Sequence, residues 1–185
     1  MDDQMVIERA VSATGSVFRD VSPAQHGAPT PCEAWDVRAL MNHVIAGNRY
    51  FAALARGEAG DTSVWQADHI GDVDPALVYE ESAVAALDAW RLPGAVERVA
   101  PLPSGGQGPR LFDIHLADLI VHGWDLASAT GQDRSLDPEV VQAVYDMWHG
   151  KLPPEIRGTV FGTEVECAPD APVADRLAAY LGRNP

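Results

Sequence analysis

The stretch Leu111-Phe-Asp-Ile-His-Leu-Ala-Asp-Leu-Ile-Val-His-Gly-Trp-Asp-Leu-Ala127 decides the fold, because it predicts a helix that is apolar on almost every side. At about 100° per residue, four of its polar side chains fall on one narrow face: His115, Asp118, His122 and Asp125. A helix that is apolar around most of its circumference is normally buried. The polar stripe is therefore expected inside the protein, where an unpaired charge costs several kcal/mol.

A divalent metal ion is one partner that would satisfy this stripe. Asp118 and His122 lie one helical turn apart, so a carboxylate and a neutral imidazole can share one ion. A catalytic zinc usually has three protein ligands, and His43 on the second predicted helix, with Gly47 one turn away, is the candidate for the third. The alternatives are a local ion pair of Asp118 with His122 and a hydrogen-bonded structural role for His43. His115 is either a ligand or a hydrogen-bonding neighbour.

The other chemically active side chains are expected to support the site or to lie outside it. Asp125 is placed to orient a histidine ring or to bind the local backbone. Cys32 is near the site in sequence and is expected to be a buried structural thiol rather than a nucleophile. Three histidines are expected to be solvated, in or beside loops: His26, His69 and His149. Arg49 and Arg110 are expected at the surface, and binding of an anionic ligand is their alternative role.

Apolar spacing and capping residues predict a mainly α protein with a small β element near its C-terminus. Two helices open on an N-capping aspartate followed by proline, at Asp74-Pro75 and Asp137-Pro138. The predicted helices cover about 3–20, 35–56, 74–90, 111–129, 137–149 and 172–181. A short strand is expected within Ala95–Pro103, a loop over Ser104–Pro109 and a strand pair over Thr159–Cys167.

Length and charge favour one globular domain and exclude some partners. The 185 residues suit a single domain over 1–185, in which about 151–185 form a small C-terminal appendage. The chain has 13 Lys and Arg against 27 Asp and Glu, a net charge of −14, which excludes nucleic acid and disfavours anionic membrane surfaces. No apolar run approaches the roughly 20 residues that span a bilayer. Two widely separated cysteines and the absence of a signal peptide indicate a cytoplasmic protein with reduced thiols.

Two motifs resemble a known family. Thr30-Pro-Cys-Glu-Ala-Trp-Asp-Val-Arg-Ala-Leu-Met-Asn-His43-Val resembles the start of the second helix in the DinB-like superfamily. The run Asp118-Leu-Ile-Val-His122-Gly-Trp-Asp-Leu-Ala-Ser-Ala-Thr-Gly-Gln resembles the second signature of the metal-binding domain of mycothiol-dependent maleylpyruvate isomerase and its actinobacterial relatives. The ending Asp175-Arg-Leu…Leu181-Gly-Arg-Asn-Pro is also similar to members of this group.

The resemblance implies a DinB-like four-helix bundle that holds a divalent metal, zinc or else nickel. By position the ligands are His43, Asp118 and His122, where Asp118 stands in place of a glutamate in the isomerase and of a histidine in many DinB-like proteins. The resemblance also implies mycothiol as a small thiol cofactor, and a coordinated thiol is deprotonated to a nucleophilic thiolate.

Three functions follow from these observations. The first is a metal-dependent and thiol-dependent transferase or isomerase whose partner is a small-molecule thiol or electrophile. The second is a metal-binding stress or sensory module without catalysis, and the third is a plain helical bundle whose stripe is satisfied by ion pairs. The isomerase carries a further domain that helps to bind its substrate's carboxylates, and this chain is too short for an equivalent, so maleylpyruvate isomerisation itself is not expected. A homodimer is one assembly that the sequence allows.

Overall fold

Aspartate caps set the starts of the helices. In a computed structural model that describes residues 1–33, 35–101, 107–152, 154–158 and 161–185, four aspartate side chains accept hydrogen bonds from the backbone N–H groups of the turn that follows. The helices that they open are α1 (Asp3–Arg19), α2 (Val37–Ala55), α3 (Pro75–Trp90) and α5 (Pro138–Trp148). The two remaining α-helices of the described residues are α4 (Leu111–Thr130) and α6 (Val173–Tyr180).

The first four helices form a bundle. α2 packs against α3 and α4, and α1 packs against the same two helices, while α5 and α6 pack on each other and against α4. α4 is the most deeply buried element, since Leu116, Leu119, Ile120 and Trp124 are all enclosed. This arrangement confirms the expected mainly α, DinB-like bundle, and it confirms that the polar stripe of α4 lies inside the protein.

The small β element lies before α4. Its two antiparallel strands are β1 (Val99–Pro101) and β2 (Gln107–Arg110), so the loop predicted over Ser104–Pro109 is wrong for its last three residues. Residues 102–106, with the rest of that predicted loop, are outside the described residues. β2 leads directly into Leu111, the first residue of α4.

The strand pair predicted over Thr159–Cys167 is wrong for the described part of that segment. Residues 159–160 are outside the described residues, and Phe161 makes only an isolated bridge with Arg157. The backbone N–H groups of Gly162 and Val165 donate instead to carbonyls at the end of α6. Gly162 also meets Gly182 so closely that a Cβ on Gly182, whose φ is +93°, would lie 2.5 Å from the Gly162 Cα. The backbone N–H groups of this segment therefore bond to the end of a helix rather than to a partner strand.

Candidate metal centre

The three predicted metal ligands come together between α2 and α4. The Nε2 atom of His43 lies 3.4 Å from Oδ1 of Asp118, and the Nε2 atom of His122 lies 3.3 Å from the same oxygen. One ligand atom from each residue lies within 4.8 Å of the other two. Among the described residues this is the one group of three or more His, Cys, Asp or Glu side chains with such an arrangement. Two imidazoles and a carboxylate suit zinc and nickel.

The Asp118 carboxylate fits a bound cation. Its second oxygen, Oδ2, is buried and accepts no hydrogen bond from any described residue. Gly47 makes room for this oxygen, because a Cβ there would lie 3.0 Å from it. A buried carboxylate oxygen without a donor is costly unless a cation or a water satisfies it. The donor set and the unsatisfied oxygen thus both suit a divalent metal.

Two tryptophans hold the His43 ring in place. The ring stacks on Trp35, with ring centroids 4.2 Å apart, and on Trp65, with centroids 5.0 Å apart. Trp35 also meets His122 in an edge-to-face arrangement, with 5.8 Å between ring centroids. This stacking was not predicted. Trp35 lies in the same motif as His43, and Trp65 lies in the segment that follows α2, so the sequence did offer a signal for it. The stacking fixes the plane in which Nε2 of His43 points at Asp118.

A buried carboxylate orients the ring of His122, as predicted for Asp125. Its Oδ2 lies 2.9 Å from Nδ1 of His122, and its side chain is completely buried. Arg183 donates to the same carboxylate through Nε and Nη2, at 3.0–3.3 Å, and is itself only 10% exposed. A hydrogen bond at Nδ1 leaves Nε2 of His122 directed at Asp118. Arg183 was missed because it lies 58 residues further along the chain.

The charges of the site are strongly coupled. Burial alone would raise the pKa of Asp118, but His122 and His43 hold it well below its usual range. Burial would lower the pKa of His122, but the carboxylates of Asp118 and Asp125 raise it to about 9. Burial likewise opposes ionisation of Asp125, whose pKa is nonetheless lowered by His122 and Arg183. The site therefore attracts a positive charge, and a metal ion would compete with the proton on His122.

A cavity of about 720 Å³ opens over the three residues. Trp35 and Trp65 lie on its wall, and the segment that carries Phe161, Gly182 and Arg183 closes another side. Cys32 also lines this cavity and is half-buried rather than fully buried. The volume suits a small-molecule site, for which 300–1,000 Å³ is typical of proteins in general.

Comparison with known proteins identifies the family. The model of the mycothiol maleylpyruvate isomerase N-terminal domain matches residues 7–127. This chain belongs to that family. Two uncharacterised proteins from Mycobacterium tuberculosis, of strains CDC 1551 / Oshkosh and ATCC 25618 / H37Rv, are relatives of this chain. Each is 31% identical to it over 187 residues, which cover 100% of this chain and 99% of the relative.

Solved structures of the family enzyme share the fold. The crystal structure of the mycothiol-dependent maleylpyruvate isomerase superimposes with a TM-score of 0.55 at 18% identity, over 77% of this chain and 65% of that chain. A crystal structure of a mutant of that enzyme gives a TM-score of 0.52 at 17% identity over the same shares. This chain thus spans just under two thirds of the isomerase. In the described residues no helix combines the length and apolarity needed to cross a bilayer.

His115 belongs to the hydrogen-bonding network rather than to the group of three. Trp90 Nε1 donates to its Nδ1 at 3.0 Å, and its Nε2 lies 3.0 Å from Oδ1 of Asn48. Asn48 in turn donates to Ser82. Complete burial lowers the pKa of His115 to about 4, against a smaller opposing effect of Asp118. Both ring nitrogens are engaged, so the hydrogen-bonding alternative holds in this member of the family.

The residues expected to be solvated differ among themselves. His69 lies in a loop as expected but is half-buried, with Nδ1 2.6 Å from Nη1 of Arg49 and Nε2 2.8 Å from the carbonyl of Val64. The expected solvation is therefore wrong for the His69 ring. His149 is exposed and stacks on Tyr145, and His26 is partly buried. Arg110 is half-buried and pairs with Asp113 and Asp3. None of these side chains reaches the metal centre.

Proposed function

We propose that this protein binds a divalent metal, zinc or else nickel, and uses a small thiol of the mycothiol type as the nucleophile of a transferase or isomerase reaction. One observation carries the proposal: His43, Asp118 and His122 converge at one wall of a large cavity, with one Asp118 oxygen buried and unsatisfied. The family supports the thiol, since its name describes mycothiol dependence. A cytoplasmic location, as the sequence predicts, would give access to such a thiol.

Each residue of the site has a separate task in this proposal. His43, Asp118 and His122 would hold the cation, and a bound divalent cation would lower the pKa of a coordinated thiol so that a thiolate exists at neutral pH. Trp35 and Trp65 keep the His43 ring in one plane. Asp125 accepts a hydrogen bond from Nδ1–H of His122, which keeps the Nε2 lone pair directed at the site.

The cavity supplies the space for two reactants. A thiol and a second small molecule must lie side by side for the sulfur to reach a carbon atom, and holding them together removes much of the entropic barrier. The C-terminal residues around Phe161 and Gly182 screen one side of the cavity from water. Exclusion of water strengthens the electrostatic interactions of a charged nucleophile.

The first experiment measures metal binding. The protein is stripped with a chelator and titrated with zinc or nickel, and bound metal and thermal stability are recorded. We expect one equivalent of metal and a higher Tm, abolished by His122→Ala but largely kept by His115→Ala, which loses stability without losing a ligand. Equal loss of metal from both variants would overturn the ligand assignment. No bound metal and no change in Tm would leave a helical bundle whose stripe is satisfied by ion pairs.

The second experiment separates an enzyme from a metal-binding module. Mycothiol is added to the metal-loaded protein and its binding is followed by calorimetry and, with cobalt as a spectroscopic substitute, by the absorption band of a thiolate–metal bond. We expect saturable binding that depends on His43, and consumption of the thiol when electrophiles are added. Metal binding without either effect would indicate a non-catalytic stress or sensory module and would refute the proposed enzyme.

A further inference from the structure

The wall of the cavity is apolar beyond the metal centre. Phe51, Ile114, Val121 and Phe161 contribute aromatic and aliphatic surface, and three glycines contribute backbone. These residues surround the space beside the three ligands, where a second reactant would meet a thiol held there, so their chemistry selects that reactant. Side chains of this kind recognise uncharged rings and alkyl groups.

The glycines of the wall offer no binding site for an anion. The N–H of Gly158 donates to the carbonyl of Phe161, that of Gly162 to Leu181 and that of Gly182 to Ala179. Backbone N–H groups bind carboxylates only when they point free into a cavity. All three donors are therefore already used within the chain.

The charged side chains of the wall do not favour a second anion either. Among the described residues that line the cavity they are Glu33, Asp118 and Arg183, together with His122, whose proton a bound metal ion would replace. Asp118 belongs to the metal centre, and Glu33 is exposed at the rim with a negative charge. Arg183 is neutralised, since its Nε and Nη2 donate to Asp125 and its Nη1 donates to the carbonyl of Leu181. A carboxylate needs a cation or several donors of its own when it leaves water.

We infer that the second reactant is an uncharged, largely apolar electrophile, and that dicarboxylates are poor substrates. This inference rests on the proposed function and names the substrate class of the same cavity. The reaction is a substitution: the thiolate sulfur forms a bond to the electrophilic carbon, the bond from that carbon to its leaving group breaks, and the leaving group departs with the electron pair. The thiol proton goes to solvent, so the products are a thioether, a halide or similar anion, and a proton.

A matched pair of electrophiles tests the inference. Benzyl bromide and 5-(bromomethyl)isophthalate share the reacting carbon and the leaving group, but the second carries two carboxylates. With metal-loaded protein and mycothiol, each rate is divided by the uncatalysed rate of the same reagent. We expect the acceleration to be at least about tenfold larger for benzyl bromide, because each buried carboxylate lacks a partner.

A binding measurement gives a readout that does not need turnover. The thioethers made from mycothiol and each reagent are titrated into the protein, and quenching of tryptophan fluorescence is followed, since Trp35 and Trp65 line the cavity. The benzyl thioether should bind about tenfold more tightly than its dicarboxylate analogue. Equal or tighter binding of the dicarboxylate would contradict the inference.

Charge reversal at the rim supplies the matched variant. Glu33→Arg places a cation at the cavity and should reduce the ratio of the acceleration for benzyl bromide to that for the dicarboxylate. Glu81→Arg, the same change on the exposed side of α3, should leave this ratio unchanged. A preference for the dicarboxylate in the parent protein would overturn the inference while the proposed function stands. Failure of the metal-loaded protein to bind mycothiol or to accelerate either reaction would instead refute the proposed function, and the inference with it.

Discussion

Replacing Gly47 by alanine tests whether the space that α2 leaves for Asp118 sets the geometry of the metal centre. The added Cβ would lie 3.0 Å from Oδ2 of Asp118 and 3.8 Å from Cη2 of Trp65. Ordinary van der Waals contact begins at 3.4 Å, so the carboxylate has to move by 3.4 − 3.0 Å, a few tenths of an ångström. Ligand distances in metal sites are held to about ±0.2 Å, which is less than this displacement.

The same substitution acts in opposite directions on folding and on metal binding. Alanine is favoured over glycine inside a helix by roughly 0.5–1 kcal/mol, so the metal-free variant should be about as stable as the parent protein or slightly more stable. Metal affinity should fall by about tenfold, equivalent to about 1.4 kcal/mol. With metal in excess, the metal-induced gain in stability falls by the same amount, which is about 3–6 °C in Tm for a protein of this size.

The assay is a pair of thermal melts, with chelator and with saturating zinc, for the parent and two variants. Gly15→Ala is the matched control, since its added Cβ would also meet a side-chain atom at 3.0 Å, Cε1 of Tyr79, but far from the metal centre. We expect the zinc-induced shift to shrink for Gly47→Ala and to stay unchanged for Gly15→Ala. A full zinc-induced shift in Gly47→Ala would show that Asp118 is not held as a ligand in this position.

Three further predictions concern the side chains around the ligands. As the pH falls from 6.5 to about 4, the metal-free protein should lose roughly 3 kcal/mol of unfolding free energy. The reason is that His115 takes up a proton in the unfolded chain but stays neutral in the folded protein, where burial lowers its pKa to about 4. Urea titrations should show a flatter dependence of the unfolding free energy on pH for His115→Gln. Asp125→Asn should weaken zinc binding by about 10–100-fold in competition with a chelator, because a neutral amide oxygen accepts the hydrogen bond from Nδ1–H of His122 more weakly than a carboxylate does. An unchanged affinity would mean that packing alone holds the ring. Trp65→Leu should weaken zinc binding more than Trp65→Phe does, because only the aromatic ring can stack on His43, and equal effects would remove the stacking argument.

The helices could be predicted from sequence because their ends are decided locally. Asp36, Asp74 and Asp137 each cap the helix that follows, and such hydrogen bonds span only two or three residues. The segment around Thr159–Cys167 failed for the opposite reason. Its composition favours strands, but its hydrogen bonds go to the end of α6, a partner that local sequence does not identify.

The candidate site was predictable to the extent that one helix carries it. The spacing of Asp118 and His122 places both on one face of α4. His43 was a candidate from the predicted second helix, and the resemblance to the family supported it. The same spacing made His115 look equivalent to these residues. Its actual partners are Trp90 on α3 and Asn48 on α2. The packing of three helices is therefore needed to tell a hydrogen-bonded histidine from a metal ligand.

The formal charges around the metal centre connect the metal, the thiol and the substrate class. Asp118 and Asp125 together carry −2, and Arg183 contributes +1, so with neutral histidines the buried group carries −1. A proton on His122 brings this sum to zero, which is why the pKa of His122 rises to about 9. A divalent cation in place of that proton would bring the sum to +1, and one thiolate would return it to zero. A dicarboxylate would then add two negative charges to a balanced cavity in which Arg183 already pairs with Asp125, whereas an uncharged electrophile would add none.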